Sequence, residues 1–115
     1  MGKRSMEIQT RGVFKTQVID VRGQVDLFSS PKMRSAILDA INRKEVSRVV
    51  VNLSGVTYID SSGVATLVEG LQLARARHCP FILFGLQQAA REVLELARLD
   101  KIFDIRATEA DALGE

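Results

Sequence analysis

Residues 48–53 read Arg-Val-Val-Val-Asn-Leu, an almost unbroken β-branched run. Successive strand side chains point to opposite faces, so such a run specifies an interior strand covered on both sides. A domain of this size can meet that demand only by layering helices and neighbouring strands around it.

The rest of the chain supplies those layers. Met6–Arg11 and Thr16–Arg22 read as two strands of a hairpin relaxed by Gly12, the second carrying Val18, Ile19 and Val21 up to a turn at Gly23. Ser30-Pro31 is a helix start, with serine as cap and proline first, and Met33, Ile37, Leu38 and Ile41 recur at helical spacing as far as Asn42. After Leu53, Ser54-Gly55 reads as a turn and Val56–Ile59 leads to Asp60-Ser61-Ser62-Gly63. There the clearest amphipathic helix begins. Val64, Leu67, Val68 and Leu71 form its inner stripe, Arg75, Arg77 and His78 suit its C-terminal dipole, and Pro80 prevents continuation. Phe81–Phe84 is a short buried strand ended by Gly85. Gln87–Arg98 is a helix with Ala90, Val93, Leu94 and Ala97 inward. Lys101–Ile105 reads as a last strand, and Thr108–Leu113 as a helical piece capped by Thr108. The order ββαβαβαβα implies a mixed sheet with parallel crossovers in one domain over residues 1–115.

Several functions are disfavoured by composition. No apolar run approaches the roughly 20 residues of a membrane helix, and Met1–Ser5 lacks a secretory h-region, so a cytoplasmic protein without membrane insertion is expected. Cys79 is the only cysteine, which rules out an internal disulfide and suits a reducing compartment. A net charge of +2, with Lys3, Arg4 and Arg11 but no aromatic-interleaved basic patch, gives little support to nucleic-acid binding. His78-Cys79 has no second pair at ligand spacing, so neither metal nor cofactor is expected. Serine catalysis needs a base within reach. The one histidine lies about sixteen residues along the same helix, roughly 24 Å from Ser62 at 1.5 Å per residue, and no Gly-x-Ser-x-Gly elbow is present. No catalytic residue is expected, and the protein is read as a non-enzyme.

Asp60-Ser61-Ser62-Gly63 concentrates polar chemistry at a helix N-terminus, where free N–H groups favour an anion. A cap accounts for Asp and Ser there, but not for Gly63, since glycine in the first turn costs about 1 kcal/mol against alanine. An approaching partner or phosphate would account for it. Gly23-Gln24-Val25-Asp26 puts a second carboxylate at a strand end, either on the same edge as Asp60 or as a solvated turn aspartate. The helix face away from the inner stripe carries Ala65, Thr66, Glu69, Gln72, Leu73 and Ala76. These assign a partner surface to Asp26, Asp60, Ser62, Gly63, Ala65, Glu69, Gln72 and Leu73.

Three segments, Gly23-Gln24-Val25-Asp26, Val49-Val50-Val51-Asn52-Leu53-Ser54 and Tyr58-Ile59-Asp60-Ser61-Ser62-Gly63-Val64, make the chain resemble the bacterial anti-sigma factor antagonists among STAS domains. The element order and loop spacing extend the resemblance over nearly the whole chain. Gln24 departs from it, standing where glutamate is more typical. The resemblance implies a mixed sheet of about five strands with helices mainly on one side. It implies that Ser61, directly after the aspartate, is a phosphorylation site. The implied partners are an anti-sigma factor with serine kinase activity and a serine phosphatase, with the unphosphorylated antagonist capturing the anti-sigma factor and freeing a sigma factor for transcription. An alternative that the same resemblance carries is an accessory subunit docked on the ATPase of a lipid-transport ABC system.

Overall fold

The computed structural model describes residues 5–114. Five strands and four helices alternate: β1 Met6–Val13, β2 Thr16–Val25, α1 Ser30–Asn42, β3 Arg48–Ile59, α2 Ser61–Ala76, β4 Phe81–Phe84, α3 Gln88–Leu96, β5 Asp104–Arg106 and α4 Glu109–Leu113. The strands form one sheet in chain order, β1-β2-β3-β4-β5. β1 is antiparallel to β2 and every later pair is parallel. The expected α/β class and mixed five-stranded sheet are therefore observed.

That order decides where the helices go. Crossovers of one hand that all step in the same direction place their helices on one face. Met33 and Ile37 of α1, Leu67 and Leu71 of α2, and Ala90 and Leu94 of α3 share one buried cluster with Ile19, Val21, Val49, Val51 and Leu53. The other face belongs to α4, where Ala112 covers Val18, Val50, Ile82 and Phe84. Val49 and Val50 thus point to opposite cores, as the apolar run requires. A partly buried network fastens α4: Arg11 bridges Asp20 Oδ2 at 2.8 Å and Glu109 Oε1 at 2.6 Å, and Asn52 Nδ2 donates to Asp20 Oδ1 at 2.8 Å.

Local boundaries differ from the sequence expectation in several places. The hairpin turns at Phe14-Lys15, so Gly12 lies inside β1. Gly23 is no turn but lies within β2 at φ +96°, where a Cβ would stand 2.2 Å from Ser5 O. Ser54-Gly55 is also no turn. β3 runs on through it, with register slips where Asp20 pairs Asn52 but Arg22 pairs Gly55, and again at Gly23/Gln24. The side chain of Asn52 supplies the bend, accepting from Ser54 N at 3.0 Å and Ser54 Oγ at 2.6 Å. α3 ends at Leu96, leaving Ala97 exposed, and β5 is confined to Asp104–Arg106. α1 takes Ser29, not Ser30, as its N-cap residue, which caps without its side chain because Ser29 Oγ is engaged with Asp26 N and Gln24 O.

Candidate functional site

The parallel strands deliver β2 and β3 side by side to one edge of the sheet, with Val25 paired to Ile59. Beyond that pair the chain enters two helices, and Asp60 N donates back to Val25 O at 3.0 Å. The loop after β2 and the N-terminus of α2 are thereby held in contact.

Asp60 is the N-cap of α2, in extended conformation, as its residue type predicts. Its Oδ1 accepts from Ser62 N at 2.9 Å, Ser62 Oγ at 2.6 Å and Gly63 N at 3.3 Å. The Ser62 hydroxyl, the backbone N–H groups of Gly63 and Ser62, and the N–H of Leu27 hold its carboxyl below the ordinary aspartate value despite partial burial. Asp60 therefore ties the preceding loop to the helix. Ser62 is half-buried and committed to this cap. Ser61 is exposed, and among the described residues no side-chain hydrogen bond restrains it.

Asp26 is not a solvated turn residue. It is 7% exposed, and its Oδ1 accepts from Phe28 N and Ser29 N, both at 3.0 Å, and from Ser29 Oγ at 3.1 Å. Ser29 Oγ accepts from Asp26 N at 2.9 Å and shares its one proton between Asp26 Oδ1 and Gln24 O, the latter at 3.0 Å. Asp26 thus shapes the loop rather than facing a ligand. What the loop presents is Leu27, 67% exposed, and Phe28, 90% exposed. The only signal of this pair in the sequence is two large apolar residues directly after an aspartate.

Gly63 has an internal reason. It is buried, and a Cβ there would meet Ile59 Cγ1 at 2.6 Å and Val25 Cγ1 at 2.7 Å. Close packing of helix on strand, not access for a ligand, selects glycine. Thr66, expected on the outer face, is buried at 6% exposure. Glu69 is engaged with α1: Arg34 Nε and Nη2 donate to its two oxygens at 2.8 and 2.7 Å, which holds the Glu69 carboxyl below its usual value. Ala65 and Gln72 are exposed and Leu73 is half-buried. Ser61, Ala65 and Gln72 follow one helical stripe, with Leu27 and Phe28 beside its start.

Asp60, the carboxylate next to Ser61, is engaged in capping α2 through Ser62 and Gly63. His78 lies beyond the end of α2, at the opposite end of the sheet, and among the described residues no cluster of His, Cys, Asp or Glu is arranged for a metal ion. No helix among them is long and apolar enough to cross a membrane. At this end of the sheet the exposed Ser61 hydroxyl makes no side-chain hydrogen bond among the described residues.

Comparison with known proteins agrees with this geometry. Over 110 residues the chain is 29% identical to the anti-sigma-B factor antagonist of Listeria monocytogenes, covering 96% of this chain and 95% of the relative. An anti-sigma factor antagonist from Mycobacterium paratuberculosis shares the fold at a TM-score of 0.86 and 24% identity, over 96% of this chain and 92% of that one. The Bacillus cell fate determinant SpoIIAA, solved in its phosphorylated form, matches at a TM-score of 0.73 and 25% identity, over 94% and 97%. The STAS domain model matches residues 6–112, taking in every strand and helix from β1 into α4. From sheet order to the capped serine turn, the chain belongs to the STAS domain family.

Proposed function

We propose that this protein is a non-enzymatic partner-switching regulator that binds an anti-sigma factor and is released by phosphorylation of Ser61. The observation that carries the reading is the division between the two serines: Ser62 is locked to Asp60 at 2.6 Å, and Ser61 stands free and exposed on the same turn. The antagonist names of its relatives favour this role over a transporter subunit.

Asp60 explains how one phosphate can act outward. Its carboxylate already occupies the N–H groups of Ser62 and Gly63. A phosphate on Ser61 Oγ finds these donors taken, so its charge of about −1.5 to −2 faces solvent and any docked partner. Leu27 and Phe28 beside it form an apolar contact area. A partner seated on that area must desolvate the dianion, which costs several kcal/mol when unpaired. Each 1.4 kcal/mol is tenfold in affinity, so one phosphate suffices for release.

The test uses an anti-sigma factor captured on the unmodified protein from its native cells, ATP, and mass spectrometry of the product. The expected result is phosphate on Ser61 and a complex formed only by the unmodified protein. Phosphate uptake persisting in Ser61→Ala, or equal binding by modified and unmodified protein, overturns the reading.

A further inference from the structure

The end of the sheet opposite Ser61 carries a charge asymmetry that the switch does not use. Four loops meet there: residues 14–15, 43–47, 77–80 and 97–103. Ser47 N donates to Lys15 O at 2.8 Å, which joins the first two loops, and Val49 N at the start of β3 donates to Pro80 O of the third at 2.9 Å. The loops bring Lys15, Arg43, Lys44, Arg77, Arg98 and Lys101 against only Glu45 and Asp100. The four loops at the Ser61 end, residues 26–29, 60, 85–87 and 107–108, contain no Lys or Arg and two aspartates.

Cations just past α1, α2 and α3 complement helix dipoles, and that alone is an ordinary arrangement. It does not explain Lys15, which follows a strand, nor the backbone at this end. Among the described residues, the three non-glycine residues with positive φ all lie in these loops: Phe14 at 59°, His78 at 56° and Arg98 at 60°. Such left-handed positions favour glycine or asparagine. Here they hold a bulky aromatic and two basic side chains. Phe14 is fully exposed at the tip of the hairpin, so its phenyl group contributes nothing to the core.

We propose that this end of the domain docks on an anionic phospholipid surface, with Phe14 entering the headgroup region and the flanking cations facing lipid phosphates. Basic residues near an anionic bilayer gain from its surface potential, and an exposed aromatic adds apolar insertion. Leu96, 86% exposed at the end of α3, and Ile102 extend the apolar contact to the far edge of the sheet. These aliphatic side chains suit a bilayer interface and have no counterpart in a phosphate backbone, which favours lipid over nucleic acid. Ser61 faces away from this surface and stays open to its partner.

The test is co-sedimentation with phosphatidylcholine vesicles made with and without phosphatidylglycerol, at rising NaCl. Binding is expected only with the anionic lipid and should weaken with salt. The double variant Lys44→Glu with Arg77→Glu should bind at least about ten-fold more weakly. Phe14→Gly gives a crossed readout: relief of the left-handed strain raises the melting temperature while vesicle binding falls. Ser61→Asp, at the other end of the sheet, should bind vesicles as the parent does. Absence of binding to anionic vesicles at low salt, indifference to the charge reversals, or tighter binding to random-sequence duplex DNA than to vesicles overturns the proposal.

Discussion

The Ser62 hydroxyl donates to Asp60 Oδ1 at 2.6 Å, and this bond removes one of two neighbouring serines from solvent chemistry. Ser62→Ala should cost about 1 kcal/mol through the loss of a charge-assisted hydrogen bond, yet still accept phosphate. Ser61→Ala should change stability by less than about 0.5 kcal/mol and accept none. Urea denaturation and kinase labelling of the two variants should therefore give opposite patterns.

Acid should weaken the fold mainly through three carboxylates, because the fourth lowered one, Glu69, sits in a solvent-screened surface pair with Arg34. Asp60 lies below its ordinary value because of Ser62 and the N–H groups of its cap. Asp20 and Glu109 lie below theirs because of hydrogen bonds from Arg11. A carboxylate with a depressed folded value contributes stability in full above its unfolded value and loses it as pH falls through the folded one. With ordinary values of 3.8 for aspartate and 4.5 for glutamate, the urea midpoint should hold steady near neutrality and begin to fall below the glutamate value. Asp60→Asn, which keeps a capping oxygen without the charge, should fall less steeply over that acid range.

Gly63→Ala tests packing against helix propensity. Alanine is favoured in a helix by about 1 kcal/mol. The added methyl group overlaps Ile59 and Val25, and overpacking of this kind costs about 1–3 kcal/mol. A net destabilisation is expected, measured by thermal or urea unfolding. A more stable variant would show that the helix can shift outward freely.

Phe28→Ser should leave folding intact, because the side chain is 90% exposed, and should weaken anti-sigma factor binding about ten-fold or more. Its loop is fixed in advance by Asp26 and Ser29, so little ordering opposes its use as an anchor. Titration calorimetry with the partner decides the matter. Ala65→Arg, on the same side of the helix start, should also reduce affinity at nearly constant stability.

Hydrophobic spacing makes the strand and helix order readable, and the Asp-Ser-Ser-Gly segment marks the start of α2. Features set by neighbours in space were not readable. Ser54-Gly55 has the composition of a turn, yet pairing with β2 carries the strand through it with two register slips. Gly63 looked like room left for a visitor and is room taken by Ile59 and Val25. Glu69 lay on an outer face by periodicity, but only the packing of α1 on α2 shows that Arg34 claims it. Asp26 was placed at the correct edge, while its inward turn depends on Ser29 and the start of α1.

The unbroken strand order has a consequence for how the molecule is made. Each strand pairs with the one synthesised just before it, so no partner has to be awaited from a later part of the chain. Contacts of short sequence separation close small loops and favour fast folding. A chain leaving the ribosome can thus zip from its β1–β2 hairpin outward, adding one strand and its covering helix at a time. α4 arrives last and closes the opposite face through the Arg11–Glu109 bridge, which joins nearly the first folded residue to nearly the last.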